Sequence, residues 1–265
     1  MSTSAANTAK RSAMHPRFRA RRIKVKRDAG RRRLRRLVAL GVLAALMVCA
    51  YVVTRSPLLD LDHVRVTGLA HTDEATLLAA GGLRTGQPMT DLDIDNARHK
   101  ISALPWVDTV AIDRHWPGTV SVAVTERRAV AALTVDAANW LVLDATGRVL
   151  EARSSRPTDL VVLAGVGVTA APGETVPAAL PGLALAGYVT ADLRPWIIEV
   201  VTNPDGTLEA VLQNDIRVSF GSQAHLADKM IGLATVLTRV DLTDLQHIDL
   251  QVPNSPVLTR RTSKA

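Results

Sequence analysis

The chain has 265 residues, 47% of them hydrophobic but only eight aromatic (four Trp, two Tyr, two Phe). That leaves enough Ala, Val and Leu for one large core or two modest ones, and too few rings for a base-stacking nucleic-acid platform. A single cysteine, Cys49, excludes a disulfide framework, Cys-cluster zinc sites and CxxC redox motifs. The net charge of +7 conceals an asymmetry: Met1 to Arg36 holds fourteen Lys and Arg against one acid, Asp28, for +13, and the remainder carries −6.

Residues 1–36, rich in Arg, Ala and Ser without an apolar period, are expected to form a disordered basic tail. Such a run suits nucleic acid, but the simpler reading is a topology determinant that is also attracted to anionic lipid. Residues 37–54 follow as LVALGVLAALMVCAYVVT. Leu37 to Val53 is uncharged and would span about 26 Å as a helix at ~1.5 Å per residue. Its Leu and Val side chains favour insertion by about 3–5 kcal/mol. A buried core helix would rarely be apolar on every side directly after Arg-Arg-Arg-Leu-Arg-Arg. A cleaved signal peptide would need a positively charged region far longer than the roughly 15–30 residues of a whole signal peptide. A lipoprotein signal would want a small residue where Val48 precedes Cys49. An uncleaved transmembrane helix is therefore expected. Only Arg55 and Arg65 fall within the next twenty residues, so the amino end stays inside and the rest is exported.

In the next module, residues 57–128, Val64 and Val66 alternate with polar neighbours as a half-buried strand does. Thr72 is placed to cap a helix that ends at Gly81-Gly82, and Thr90 with Asp93 has capping-box spacing before a second helix. Leu92, Ala97, Ile101 and Leu104 share one face of that helix. Val110 and Ile112, then Val120, Val122 and Val124, form a hairpin turning through His115-Trp116-Pro117-Gly118. The order is β-α-α-β-β, a small sheet covered by two helices. Trp106 and Trp116 border the hairpin, either packed against the sheet or forming a binding patch.

Residues 129–258 read as a mixed β domain. Trp140 to Leu150 is a hairpin around Asp144–Gly147, and Ile197–Val201 pairs with Leu208–Leu212 across Asn203-Pro204-Asp205-Gly206. Ile216 to Gly221 continues the sheet, and Leu226, Met230, Leu233 and Leu237 make a helical stripe. In the last strand Ile248, Leu250 and Val252 alternate with Asp249 and Gln251, and Pro253 and Pro256 are expected to stop further pairing. A short basic tail, 259–265, ends the chain. The fold class is thus α+β.

These residues carry a resemblance. The hairpin entered by Leu104-Pro105-Trp106-Val107, turned by Arg114-His115-Trp116-Pro117-Gly118-Thr119 and left by Val124-Thr125-Glu126-Arg127 is similar to that of POTRA domains. Placed just outside one amino-terminal membrane helix with a basic tail, it resembles the FtsQ/DivIB family of bacterial cell-division proteins. Val252-Pro253-Asn254-Ser255-Pro256-Val257-Leu258 is similar to the family's closing motif in high-GC Gram-positive bacteria.

The resemblance implies a non-enzymatic scaffold in the plasma membrane, enriched at the division septum. Its implied partners are the membrane-anchored coiled-coil proteins FtsB and FtsL, bound by strand addition at the last strand. The positions carried over are Ile248, Asp249, Leu250, Gln251, Val252, Pro253, Asn254 and Ser255, with the helix around Leu226 to Leu237 as support. The residues themselves offer little for catalysis. The seven His lack ligand spacing, there is no GxSxG, P-loop or GxGxxG, and Asp91, Asp93 and Asp95 surround a helix start where carboxylates suit the dipole. Gly165-Val166-Gly167 reads as a flexible loop. No cofactor or nucleic acid is expected. The alternative is a membrane-anchored cell-wall enzyme that uses the POTRA module to bind substrate or partner.

Overall fold

The computed structural model describes residues 34–52, 57–253 and 255–261. The basic tail expected over 1–36 lies almost wholly outside the described residues, as do 53–56, Asn254 and 262–265. Leu34–Val52 is one helix, α1, long and apolar enough to cross a membrane, with its side chains exposed along its length. Its described part takes in Arg35 and Arg36, ahead of the uncharged run.

The first module has the order β1 (His63–Thr67), α2 (Glu74–Gly81), α3 (Ile94–Ser102), β2 (Val107–His115) and β3 (Thr119–Glu126). The β-α-α-β-β reading holds, with the cap moved by one residue at α2 and by three at α3. Asp73, not Thr72, caps α2 by accepting from the Thr76 N–H at 3.1 Å, and Asp93 caps α3 by accepting from the Asn96 N–H at 3.0 Å. A carboxylate opposite the helix dipole's positive end outcompetes a threonine hydroxyl earlier in the chain. Thr90 instead bonds Asp91 at 3.2 Å. Gly82 ends α2 in the left-handed conformation, φ 67°, which costs glycine little. The sheet order is β1-β3-β2, with β1 parallel and β2 antiparallel to β3. Val120, Val122 and Ile112 bury one face beneath Leu77, Ala97 and Ile101 from the helices.

The second module is a nine-stranded sheet, ordered β12-β11-β10-β9-β8-β7-β4-β5-β6. Its strands are β4 (Ala129–Thr134), β5 (Trp140–Asp144), β6 (Val149–Arg153), β7 (Val161–Ala164), β8 (Ile197–Thr202), β9 (Leu208–Leu212), β10 (Arg217–Gly221), β11 (Leu245–Asp249) and β12 (Val257–Arg260). Both expected hairpins form, as β5-β6 and β8-β9. Register explains the core. Leu141, Leu133, Leu163, Val200, Ala210, Val218, Ile248 and Leu258 are successive cross-strand partners, so they project from one face. Two helices, α4 (Leu180–Ala186) and α5 (Leu226–Arg239), close over this row with Leu183, Met230, Leu233 and Val236. On the opposite face, at the β5-β6 end, Val142 and Leu150 pack with Trp106 of the first module.

Two expectations are corrected. The strand read over Ile248–Val252 is β11, which ends at Asp249, and the chain then turns and returns as β12. The Asp249 carboxylate accepts the Gln251 N–H at 2.9 Å, bending the backbone before Pro253. Pro253 and Pro256 shape this turn without ending pairing. Thr259 and Arg260, read as tail, belong to β12, and the Arg261 N–H donates to the Asp244 carbonyl at 2.8 Å.

Candidate partner-binding surface

A sheet in which every inner strand has two neighbours offers recognition through the backbone only at its two edges. At one edge, the start of β6 is covered: the Val149 N–H donates to the Glu174 carbonyl and the Gly173 N–H to the Val149 carbonyl, both at 2.8 Å. At the other, among the described residues, β12 pairs with β11 alone. Leu258 faces the core, while Val257, Thr259 and Arg260 are exposed.

The eight carried-over positions do not form one edge. Ile248 and Leu250 are buried against the helical layer, and Asp249 is half-buried at the end of β11. The Leu250 N–H donates to the Ser219 carbonyl at 2.8 Å, holding the turn to β10. Gln251, Val252 and Ser255 are exposed on the turn and Pro253 is half-buried; Asn254 lies outside the described residues. The set is therefore the support and connecting turn of the edge. The free backbone belongs to Val257–Arg260, which sequence reasoning missed although Val257, Leu258 and Thr259 alternate.

Helix α5 carries the expected stripe, with Leu226, Met230 and Leu233 buried. It also buries Lys229, at 2% exposure, whose Nζ donates to the carbonyls of Phe220 (2.7 Å) and Ser222 (2.9 Å). Burial pulls this amine's pKa below its ordinary value. Lys229 falls three residues after Leu226 and one before Met230, so helical spacing already put it on the buried face. On the outer face Arg217, His247 and Thr259 stand side by side across β10, β11 and β12. With Asp215, Gln246 and Arg261 they frame a depression of about 440 Å³.

The edge is held relative to the first module by a built junction. Trp106, 8% exposed, packs on Val142 and Leu150, and the His71 imidazole stacks on it at 4.0 Å and 2°. Glu126 fixes His71: its carboxylate accepts from the His71 N–H (2.9 Å) and the Thr72 N–H (2.8 Å) and meets His71 Nδ1 at 3.0 Å. Burial pushes the Glu126 carboxyl up, but the bonds from Thr72 and His71 outweigh it and hold the pKa at about 2. The next residue, Arg127, donates to Asp144 at 2.8 Å and faces Asp108 at 3.4 Å. Asp144 is likewise pushed up by burial and held below the usual carboxylate range by Thr146, Arg127 and Arg148. Among the described residues no group of three His, Cys, Asp or Glu is placed to hold a metal ion.

Two family models match this chain in succession. One described as "POTRA domain, FtsQ-type" matches residues 59–127, and one described as "Cell division protein FtsQ/DivIB, C-terminal" matches residues 131–251. Among curated proteins, "Cell division protein FtsQ" of Corynebacterium glutamicum is 29% identical over 203 residues, covering 76% of this chain and 88% of that one. The protein of the same name from Caulobacter vibrioides is also 29% identical over 203 residues, covering 75% of this chain and 66% of its own length. That of Rhizobium meliloti is 42% identical over 69 residues, 26% of this chain and 22% of its own. With a POTRA module, a nine-stranded sheet and both models matched in order, the chain belongs to the FtsQ/DivIB family of cell-division proteins.

Proposed function

We propose that this protein is a non-enzymatic, single-pass scaffold of the division machinery, with its amino end in the cytoplasm and its two modules outside, concentrated at the septum. It binds FtsB- and FtsL-like membrane proteins through the carboxyl-terminal sheet. The observation that carries this reading is the open edge of β12 on a sheet whose opposite edge begins under another segment. A partner strand laid against β12 would gain several main-chain hydrogen bonds at a net ~0.5–1.5 kcal/mol each. Ile248 to Ser255 serve this contact as the strand behind the edge and the turn that presents it. The +13 amino-terminal tail supports the orientation.

The test is a proline scan of the edge. Neighbouring residues of a strand point their N–H groups in opposite directions, so of Leu258→Pro and Thr259→Pro one removes an outward donor. That variant, folded by circular dichroism, should capture co-reconstituted FtsB- and FtsL-like proteins at least about tenfold less well, a loss of ~1.4 kcal/mol or more. If both variants fold and capture partners as the unaltered chain does, β12 is not the docking edge.

A further inference from the structure

The first module has a distinct end for each of its neighbours. Because β1 runs parallel to β3, the starts of both strands, His63 and Thr119, lie together, and the β2-β3 turn lies with them. The turn is fastened to the segment that follows α1. The Gly118 carbonyl accepts from the Asp62 N–H (2.8 Å) and the His63 N–H (3.1 Å), and a Cβ at Gly118 would sit 2.6 Å from the Asp60 carbonyl oxygen. Six peptide steps join Val52, the last described residue of α1, to Leu58. Fully extended they reach about 20 Å. If α1 spans the membrane, this end of the module is tethered within that distance of the bilayer, while the far end is occupied by the junction with the second module.

Exposed apolar side chains follow the same polarity. Of the described residues from 57 to 127, the large hydrophobic side chains left exposed are Leu58 (77%) and Trp116 (54%), and both lie at the tethered end. The Arg114 guanidinium lies 5.7 Å from the Trp116 ring centroid and is steadied by donating to the Leu92 carbonyl at 2.6 Å. An indole beside a cation is the pairing that settles at the level of lipid headgroups. Asp60, Asp62 and Asp113 stand at the same end, so anionic headgroups add no attraction.

We propose that the hairpin tip is a lipid-contact site, with Trp116 and Leu58 dipping into the interfacial layer of the outer leaflet and Arg114 facing headgroup phosphates. The contact is made by apolar insertion rather than by net charge, and it would fix how the module and the β12 edge stand above the membrane. The proposal rests on the reading that α1 crosses the bilayer.

The full chain is reconstituted in phosphatidylcholine vesicles, with and without a lipid brominated near the headgroup, and compared with Trp116→Phe. Co-flotation with the vesicles reports on α1 separately from the tip. The expected result is a blue-shifted component of Trp emission quenched by the brominated lipid, most of it missing in Trp116→Phe, reduced in Leu58→Ser, and not strengthened by added phosphatidylglycerol. Equal quenching in the unaltered chain and Trp116→Phe, with both floating, overturns the proposal and leaves the α1 reading standing. A Trp116 shielded only when a second division protein is co-reconstituted overturns it in favour of a protein partner. Failure to float overturns both.

Discussion

Trp106 enters the β2-β3 hairpin and Trp116 turns it, on the same short sheet, yet the first is 8% exposed and the second 54%. The difference lies in what else arrives at each end. At the Trp106 end an imidazole covers one side of the ring, and two aliphatic side chains from the second module complete the packing. That end also carries a clasp of side-chain bonds, Glu126 with His71 and Arg127 with Asp144. At the Trp116 end a single guanidinium lies over the ring and backbone bonds secure the turn beneath it. One end is built as a joint and the other as a free surface. Identical residue types acquire different roles because the environment, not the side chain, sets the balance between packing and exposure.

The largest test of that contrast is Trp106→Ala. Removing the ring empties a buried site shared by two modules and leaves His71 unstacked, so unfolding of the full chain in detergent micelles should lose about 3–5 kcal/mol. A loss under about 1 kcal/mol would show that the two modules do not support one another.

A smaller effect comes from Glu126, whose side chain is 7% exposed. Its folded-state pKa is about 2 against an ordinary 4.5, so on acidification the unfolded chain takes the proton first. The stabilisation is complete above about pH 4.5 and is lost as the pH falls toward 2; it amounts to at most about 3 kcal/mol at 1.36 kcal/mol per pKa unit. Glu126→Gln should therefore be less stable than the unaltered chain at pH 7, with the gap closing as the pH falls through that window. Urea midpoints taken across the range check it, and a gap that stays constant from pH 7 to 3 would break the clasp.

Much of the first module was legible because its signals are local. Val120, Val122 and Val124 alternate, and Asp73 and Asp93 sit at helix starts, so strand and helix were readable even where the cap was assigned to a threonine one or three residues earlier. The second module was legible where turns announce themselves, at Asp144–Gly147 and Asn203–Gly206. It was opaque where burial on both faces erases alternation, as in Val161–Ala164, and in the short α4, which carries a proline and a glycine. The edge was misplaced because Pro253 and Pro256 read as a stop, whereas the Asx bond at Asp249 makes them part of a reversal. The fates of the two tryptophans were left open by the sequence for a different reason. Val142 and Leu150, which bury Trp106, are distant in sequence, and no local pattern reports a contact between modules.

The smallest expected effect completes the contrast. Trp116→Ala removes an exposed ring and the stacking of one guanidinium, an interaction worth about 0.5–1 kcal/mol where solvent reaches it. The bonds that hold the tip do not involve the indole: the Gly118 carbonyl keeps its two donors from Asp62 and His63, and the Arg114 guanidinium keeps the Leu92 carbonyl. No cavity forms, because the ring fills none. The midpoint of unfolding should accordingly change by less than about 1 kcal/mol, several times less than for Trp106→Ala. A loss as large as that at the joint would mean that the tip ring is structural, and its exposure would then give no reason to look for anything that covers it.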